Sequence, residues 1–118
     1  MGITKITLKV KNPKSPSKEF KGEFLVDSGA VHTVVPGKEL RKLGIKPEGE
    51  EKFFLADGKM IKRKVGNALY EYDGKQRAAP VIFGKRGDAQ LLGVLTLEAL
   101  SLSLDPLKRK LYKAKLML

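Results

Sequence analysis

Apolar and polar residues alternate along most of this chain with a period of two, the pattern of half-buried strands. Ile6, Leu8 and Val10 alternate with Thr7, Lys9 and Lys11, and the cluster Asn12-Pro13-Lys14-Ser15-Pro16-Ser17 then turns the chain as its most flexible loop. Phe20, Gly22, Phe24 and Val26 resume an apolar face that runs directly into Asp27. A hairpin is predicted where Asp73-Gly74 separates residues 68–72 from 75–83, because Asp-Gly suits a two-residue turn between strands. Lys52-Phe53-Phe54 and Met60-Ile61 flank a further turn at Leu55-Ala56-Asp57-Gly58-Lys59. Tyr112, Ala114, Leu116 and Leu118 alternate with lysines and Met117, which predicts a terminal strand with one wet face. Helix is scarce. Residues 36–43 have Pro near the start and Gly44 just past the end, the asymmetry of a short helix, and residues 96–100 fit another turn or two. The expectation is a single all-β domain over residues 1–118 with one or two short helices.

Composition narrows the class. A chain of 118 residues buries about two-thirds of its unfolded surface, enough for a real core. Hydrophobic content of 42% with 31% charged residues describes a soluble globular protein. No apolar run is long enough to span a membrane, and the start lacks a signal-peptide core, so the expected location is cytoplasmic. With no cysteine there is no disulfide, thiol nucleophile or zinc–cysteine site, and one histidine, His32, leaves little basis for a metal centre. No cofactor is expected.

The candidate chemistry lies where a strand ends in Asp27-Ser28-Gly29-Ala30. Aspartate is disfavoured in strands and costly to bury, so an apolar strand that delivers one into a Ser-Gly turn is unusual. A solvent-exposed Asx turn uses the same residues for conformational reasons alone. What separates this stretch from such a turn is its surroundings: Phe24-Leu25-Val26 before it, Val31-His32-Thr33-Val34-Val35-Pro36 after it, and a distant apolar-apolar-Gly segment, Leu91-Leu92-Gly93.

In that order and spacing, the segments resemble the single-lobe, retropepsin-like aspartic proteases, the retroviral proteases and their cellular, bacterial and archaeal relatives, and among these a bacterial or archaeal member. The resemblance covers residues 5–111. It implies a retropepsin-like acid protease barrel in which residues 26–36 form the catalytic loop, residues 55–59 the flap tip, and residues 91–100 the apolar-apolar-Gly strand and a short helix. Asp27 would be the catalytic carboxylate. Ser28 would lock two loops together across a twofold axis, Gly29 would let substrate approach, and Ala30 would keep the site wall narrow. Ala56, Asp57 and Gly58 would close over substrate; Leu91 and Leu92 would line the trough, with Gly93 packed beneath the loop.

Aspartic proteases need two adjacent carboxylates sharing one proton, because like charges so close do not both ionise. Asp57, Asp73, Asp88 and Asp105 are not followed by Ser-Gly or Thr-Gly. The resemblance therefore implies a homodimer, with one Asp27 from each subunit, acting as an aspartic endopeptidase on a polypeptide substrate. The alternative is a catalytically weak retropepsin-like module used for dimerisation or peptide binding.

The chain departs from the retroviral pattern in places. Val31 and Val94 stand where those enzymes pair an Asp with an Arg; an apolar pair replaces a buried ion pair at little cost. Asp57 reads first as a turn former, and second as a group that selects basic substrate residues or perturbs the dyad. His32 reads as a structural residue at a pocket rim. The net charge of +11 includes Lys59-Lys62-Arg63-Lys64, Lys85-Arg86 and residues 108–115. Without tryptophan or a recognised binding motif, these lysines argue for solubility and strand-edge protection and against nucleic-acid binding.

Overall fold

The computed structural model describes residues 4–105, 107 and 110–116. Strands β1 (Lys5–Asn12) and β2 (Ser15–Val26) form the first hairpin, in register Ile6 to Phe24, Leu8 to Gly22 and Val10 to Phe20. Leu8, Val10, Phe24 and Val26 are buried, as the alternation predicts. The expected loop at residues 12–17 is instead a tight turn at Pro13-Lys14, with Asn12 opposite Ser15. Asn12 explains the difference: its Oδ1 accepts from Lys14 N at 2.9 Å and its Nδ2 donates to Leu43 O at 3.1 Å. That side chain pins the turn to the body of the protein, which lets β2 start at once.

Strand β3 (Thr33–Pro36) leads into helix α1 (Gly37–Lys42), with Pro36 as its N-cap and Gly44 at φ +80° beyond its end. Strands β4 (Gly49–Phe54) and β5 (Met60–Tyr72) make the next hairpin, and β5 then turns into β6 (Lys75–Gly84). At this turn Asp73 has φ 50° and Gly74 φ 81°, the two positive angles that match the twist of a two-residue hairpin. Strand β7 (Leu91–Leu92) follows, then helix α2 (Val94–Ala99), which starts two residues before the predicted position. Gly93 serves as its N-cap residue.

The main sheet runs β3-β6-β5-β1-β2-β7, with β4 joined to β5 off this path. Its two ends are parallel pairs: β2 with β7 (Leu25 to Leu91, Val26 to Leu92) and β3 with β6 (Thr33 to Val81). A single cluster of buried residues, including Phe24, Leu40, Tyr70, Phe83, Leu92 and Leu97, fills the interior.

The last strands differ from expectation. Strand β8 (Leu102–Asp105) pairs with β9 (Lys110–Lys113), and Leu111, opposite Leu104, packs against the core. The strand ends at Lys113, short of the predicted run; Tyr112 and Leu116 are exposed, and Ala114 is half-buried with its N–H donating to Ser101 O at 2.7 Å. Leu118, expected in the terminal strand, lies outside the described residues.

Tyr70 is fully buried and its hydroxyl donates to Pro80 O at 3.1 Å. Burial pushes the phenol well above its ordinary range, with the Thr96 and Thr33 hydroxyls acting in the opposite direction. Tyr70→Phe removes the donor and strands a carbonyl, so it should lower the free energy of unfolding by about 1–2 kcal/mol while the fold persists. Denaturant titration checks this; unchanged stability would mean that the Pro80 carbonyl finds another partner.

Candidate active site

Strand β2 alternates, so Phe24 and Val26 enter the core while Leu25 and Asp27 belong to the other face. Its end is held by two backbone bonds, Val26 N to Thr4 O at 2.8 Å and Asp27 N to Leu92 O at 3.1 Å. The chain then turns through Ser28 and Gly29, both exposed. Gly29 N donates to Asp27 Oδ1 at 2.9 Å, and Ala30 N to Asp27 O at 3.1 Å. Asp27 is half-buried, one carboxylate oxygen fixed by the backbone and Oδ2 without a hydrogen-bond partner among the described residues. A carboxylate so oriented presents one oxygen outward.

The loop rests on the segment that resembles the apolar-apolar-Gly strand. Val94 N donates to Ala30 O at 2.8 Å and Leu95 N to Val31 O at 3.1 Å. A Cβ on Gly93 would lie 2.5 Å from His32 O and 2.7 Å from Val31 O, so only glycine lets the two backbones meet. Gly93 N donates to Thr33 Oγ1 at 3.0 Å, and Thr33 Oγ1 lies 2.6 Å from Thr96 Oγ1, both threonines fully buried. Sequence reasoning missed these threonines. The available signal was a hydroxyl residue inside each otherwise apolar segment, since a buried hydroxyl needs a partner.

Above the loop lies an apolar pocket of about 530 Å³. Ala30, Val31 and Leu91 line one side; Phe53, Phe54 and Leu55, from the β4–β5 hairpin, line another. Leu91 is half-buried and faces this space, whereas Leu92 is fully buried in the core and does not line it. The expected pair therefore splits, as successive residues of a strand must. Ala56, Asp57 and Gly58 sit exposed at the hairpin tip, outside the residues that line the pocket. Asp57 Oδ1 accepts from Lys59 N at 2.9 Å, the bond of a turn former.

Val31 is 56% exposed, so no buried pair with Val94 replaces the missing ion pair. His32 meets Phe53 edge to face, ring centroids 5.5 Å apart, and joins the segment after the Asp27 turn to the hairpin base. Arg63, read only as part of a basic run, makes a bidentate pair with Asp88: Nε to Oδ2 at 2.7 Å and Nη2 to Oδ1 at 2.8 Å. Lys85 N adds a 2.8 Å bond to Asp88 Oδ2. Hydrogen bonding from Arg63, reinforced by Lys85, holds the Asp88 carboxyl below the usual carboxylate range. The pair ties the hairpin strand β5 to the 84–90 connection at the pocket wall. Among the described residues no cluster of three or more His, Asp or Glu is arranged to hold a metal ion, and no helix is long and apolar enough to cross a membrane.

No family model matches the sequence, and no curated protein matches it. Among solved structures, the chain is similar to the protease of simian foamy virus (mac), with 20% sequence identity and a TM-score of 0.52 over 79% of this chain and 92% of that one. It is also similar to a retropepsin-like aspartic protease from Rickettsia conorii, with 19% identity and a TM-score of 0.46 over 89% of this chain and 94% of that one. The fold is the mostly-β retropepsin-like protease fold with two short helices.

Two predictions follow the geometry. Gly93→Ala drives a Cβ into fixed backbone, and should destabilise the chain by about 2–3 kcal/mol in denaturant titration. A near-neutral effect would mean that the loop and its support are not in close contact. Because the folded Asp88 carboxyl lies below its unfolded value of about 3.9, the Arg63 tie contributes fully above that pH and is lost as pH falls through the folded value. A carboxyl-detected NMR titration should place Asp88 below the ordinary aspartate range; an ordinary midpoint would show that the pair does not persist in solution.

Proposed function

We propose that this chain is one half of a homodimeric aspartic endopeptidase, its active site made of two Asp27 carboxylates, one from each copy. The observation that carries the reading is the seat of Asp27. A half-buried carboxylate is fixed by Gly29 N at the end of β2, on a loop that only Gly93 can underlie, beside an apolar pocket bounded by a hairpin. The likeness to the foamy virus protease supports the fold in which such a seat occurs. The loop contains one aspartate, and the chemistry requires two carboxylates, so a second copy must supply the other.

In the proposed dimer the two carboxyls share a proton. One, ionised, takes a proton from a water molecule as that water attacks the scissile carbonyl carbon; the other, protonated, gives its proton to the carbonyl oxygen. The tetrahedral diol then collapses as a proton passes to the amide nitrogen, the C–N bond breaks, and the pair is restored. Ser28, exposed next to Asp27, would bond the two loops together across the twofold axis. Gly29 leaves room for the substrate backbone. Ala30 and Leu91 supply an apolar wall for one substrate side chain, and Ala56, Asp57 and Gly58 form the moving tip of the hairpin, which excludes water on closing. Asp57 spends one oxygen within its own turn and acts as a turn former.

The test is cleavage of a denatured, unstructured protein between about pH 3 and pH 7, the range in which a carboxyl pair titrates. Wild type should cleave with a bell-shaped profile, and Asp27→Asn should lose activity by about a thousandfold or more, as expected when a group that moves the proton is removed. Specific activity should rise steeply with protein concentration around the dimer dissociation constant. Equal cleavage by Asp27→Asn would sink the proposal, and a folded, dimeric wild type without turnover would leave a peptide-binding or dimerisation module in its place.

A further inference from the structure

Beyond the apolar pocket, across Asp88, lies a second and larger concavity of about 870 Å³. Strand β5 is the wall between the two. Its alternation sends Ile61 and Arg63 to the apolar pocket and Lys62 and Lys64 to the other side. Helix α1 adds Lys38 and Arg41, and the loop after β6 adds Lys85 and Arg86, so six cationic side chains from three elements converge on one groove. Two acidic residues share it, Glu50 and Asp88. Asp88 is already engaged through both oxygens by Arg63. Glu50 stands opposite Lys64 in the β4–β5 register but forms no salt bridge among the described residues. None of the six cations forms a salt bridge among the described residues.

A role in solubility requires dispersed lysines. It does not require that lysines and arginines from separate elements face one cavity in excess of its two carboxylates, one of them already paired with Arg63, where they repel one another. We propose that this groove is an extended substrate subsite, and that the preferred polypeptide carries an apolar residue for the pocket and, a few residues along the chain, a cluster of Asp or Glu for the groove. An extended peptide advances about 3.3 Å per residue, so a segment leaving the apolar pocket past Asp88 enters the groove within a few residues. The composition of the groove selects carboxylates over nucleic acid. Its aromatic ring, Phe83, is only 3% exposed and covered by the Arg41 guanidinium 5.5 Å from its centroid, so no face remains for a base to stack on. The neighbouring apolar pocket also suits a side chain, and its guanidinium, Arg63, is already paired with Asp88.

The inference rests on the protease reading for its substrate, but occupancy of the groove is measurable without turnover. Two unstructured peptides with the same apolar centre, one flanked by Glu and the other by Gln at the same positions, are compared at about pH 6, where glutamate is ionised. Wild type should show a kcat/KM about tenfold or more higher for the Glu peptide at low salt, with the advantage shrinking as salt screens the groove. Lys62→Glu with Lys64→Glu, or Lys85→Gln with Arg86→Gln, should erase the advantage and leave Gln-peptide turnover unchanged. Fluorescence anisotropy with full-length Asp27→Asn reads the same preference as affinity, so a chain that cleaves neither peptide still tests the groove. Equal treatment of the two peptides in both assays overturns the subsite. So does a preference that survives the substitutions, or tighter binding of a single-stranded oligonucleotide of equal charge that the substitutions abolish.

Discussion

The contact of Gly93 with the carbonyls of Val31 and His32 is the constraint on which the rest of the site depends. Two stretches of backbone, far apart in sequence, meet with no side chain between them. Everything near Asp27 is positioned by that meeting. The parallel pairing of β2 with β7 fixes the strand end, the bonds from Val94 and Leu95 fix the loop, and Thr33 fills the one donor that Gly93 presents. Such close packing has two states, in register or broken, and little in between. The geometry of the carboxylate is thus inherited from the interior and does not depend on the flexibility of its own exposed turn.

Much of this was legible in the sequence because strands that bury one face advertise it. The alternation at Ile6-Leu8-Val10 and Phe20-Gly22-Phe24-Val26 is the direct imprint of a two-sided sheet, and Asp73-Gly74 states its turn type in two letters. The order of Asp27, the hairpin tip and Gly93 carried the fold. What escaped notice depends on partners that periodicity does not encode. Asn12 shortens its turn by bonding to Leu43, a residue of another element. The Thr33–Thr96 bond and the Arg63–Asp88 pair each join residues that are neighbours only in space. The pairing of the last strand with β8, which carries Leu111 onto the core, is likewise a meeting that alternation along residues 112–118 does not announce.

The electrostatic layout separates two tasks across a single strand. One face of β5 helps enclose an apolar volume in which charge is neutralised, Arg63 against Asp88; the other faces a groove in which six cations outnumber two carboxylates. The +11 of the whole chain is therefore not spread evenly in effect. A carboxylate in the apolar pocket would find its one nearby guanidinium already taken, while a carboxylate past Asp88 would find several cations available. Such asymmetry makes direction along the cleft chemically meaningful.

The brevity of β7 has a kinetic consequence. Hairpins β1–β2 and β5–β6 close through two-residue turns, the kind of contact that forms in microseconds. The pairing of Val26 with Leu92 closes a much longer span of chain, and its two-residue ladder is rewarded only when the bonds from Gly93, Val94 and Leu95 form with it. Loop-closure entropy places such a contact late. A chain emerging from synthesis is then expected to hold most of its sheet before Asp27 acquires its seat. In the proposed enzyme the carboxylate is thus the last part of the site to be set, after the sheet that carries it.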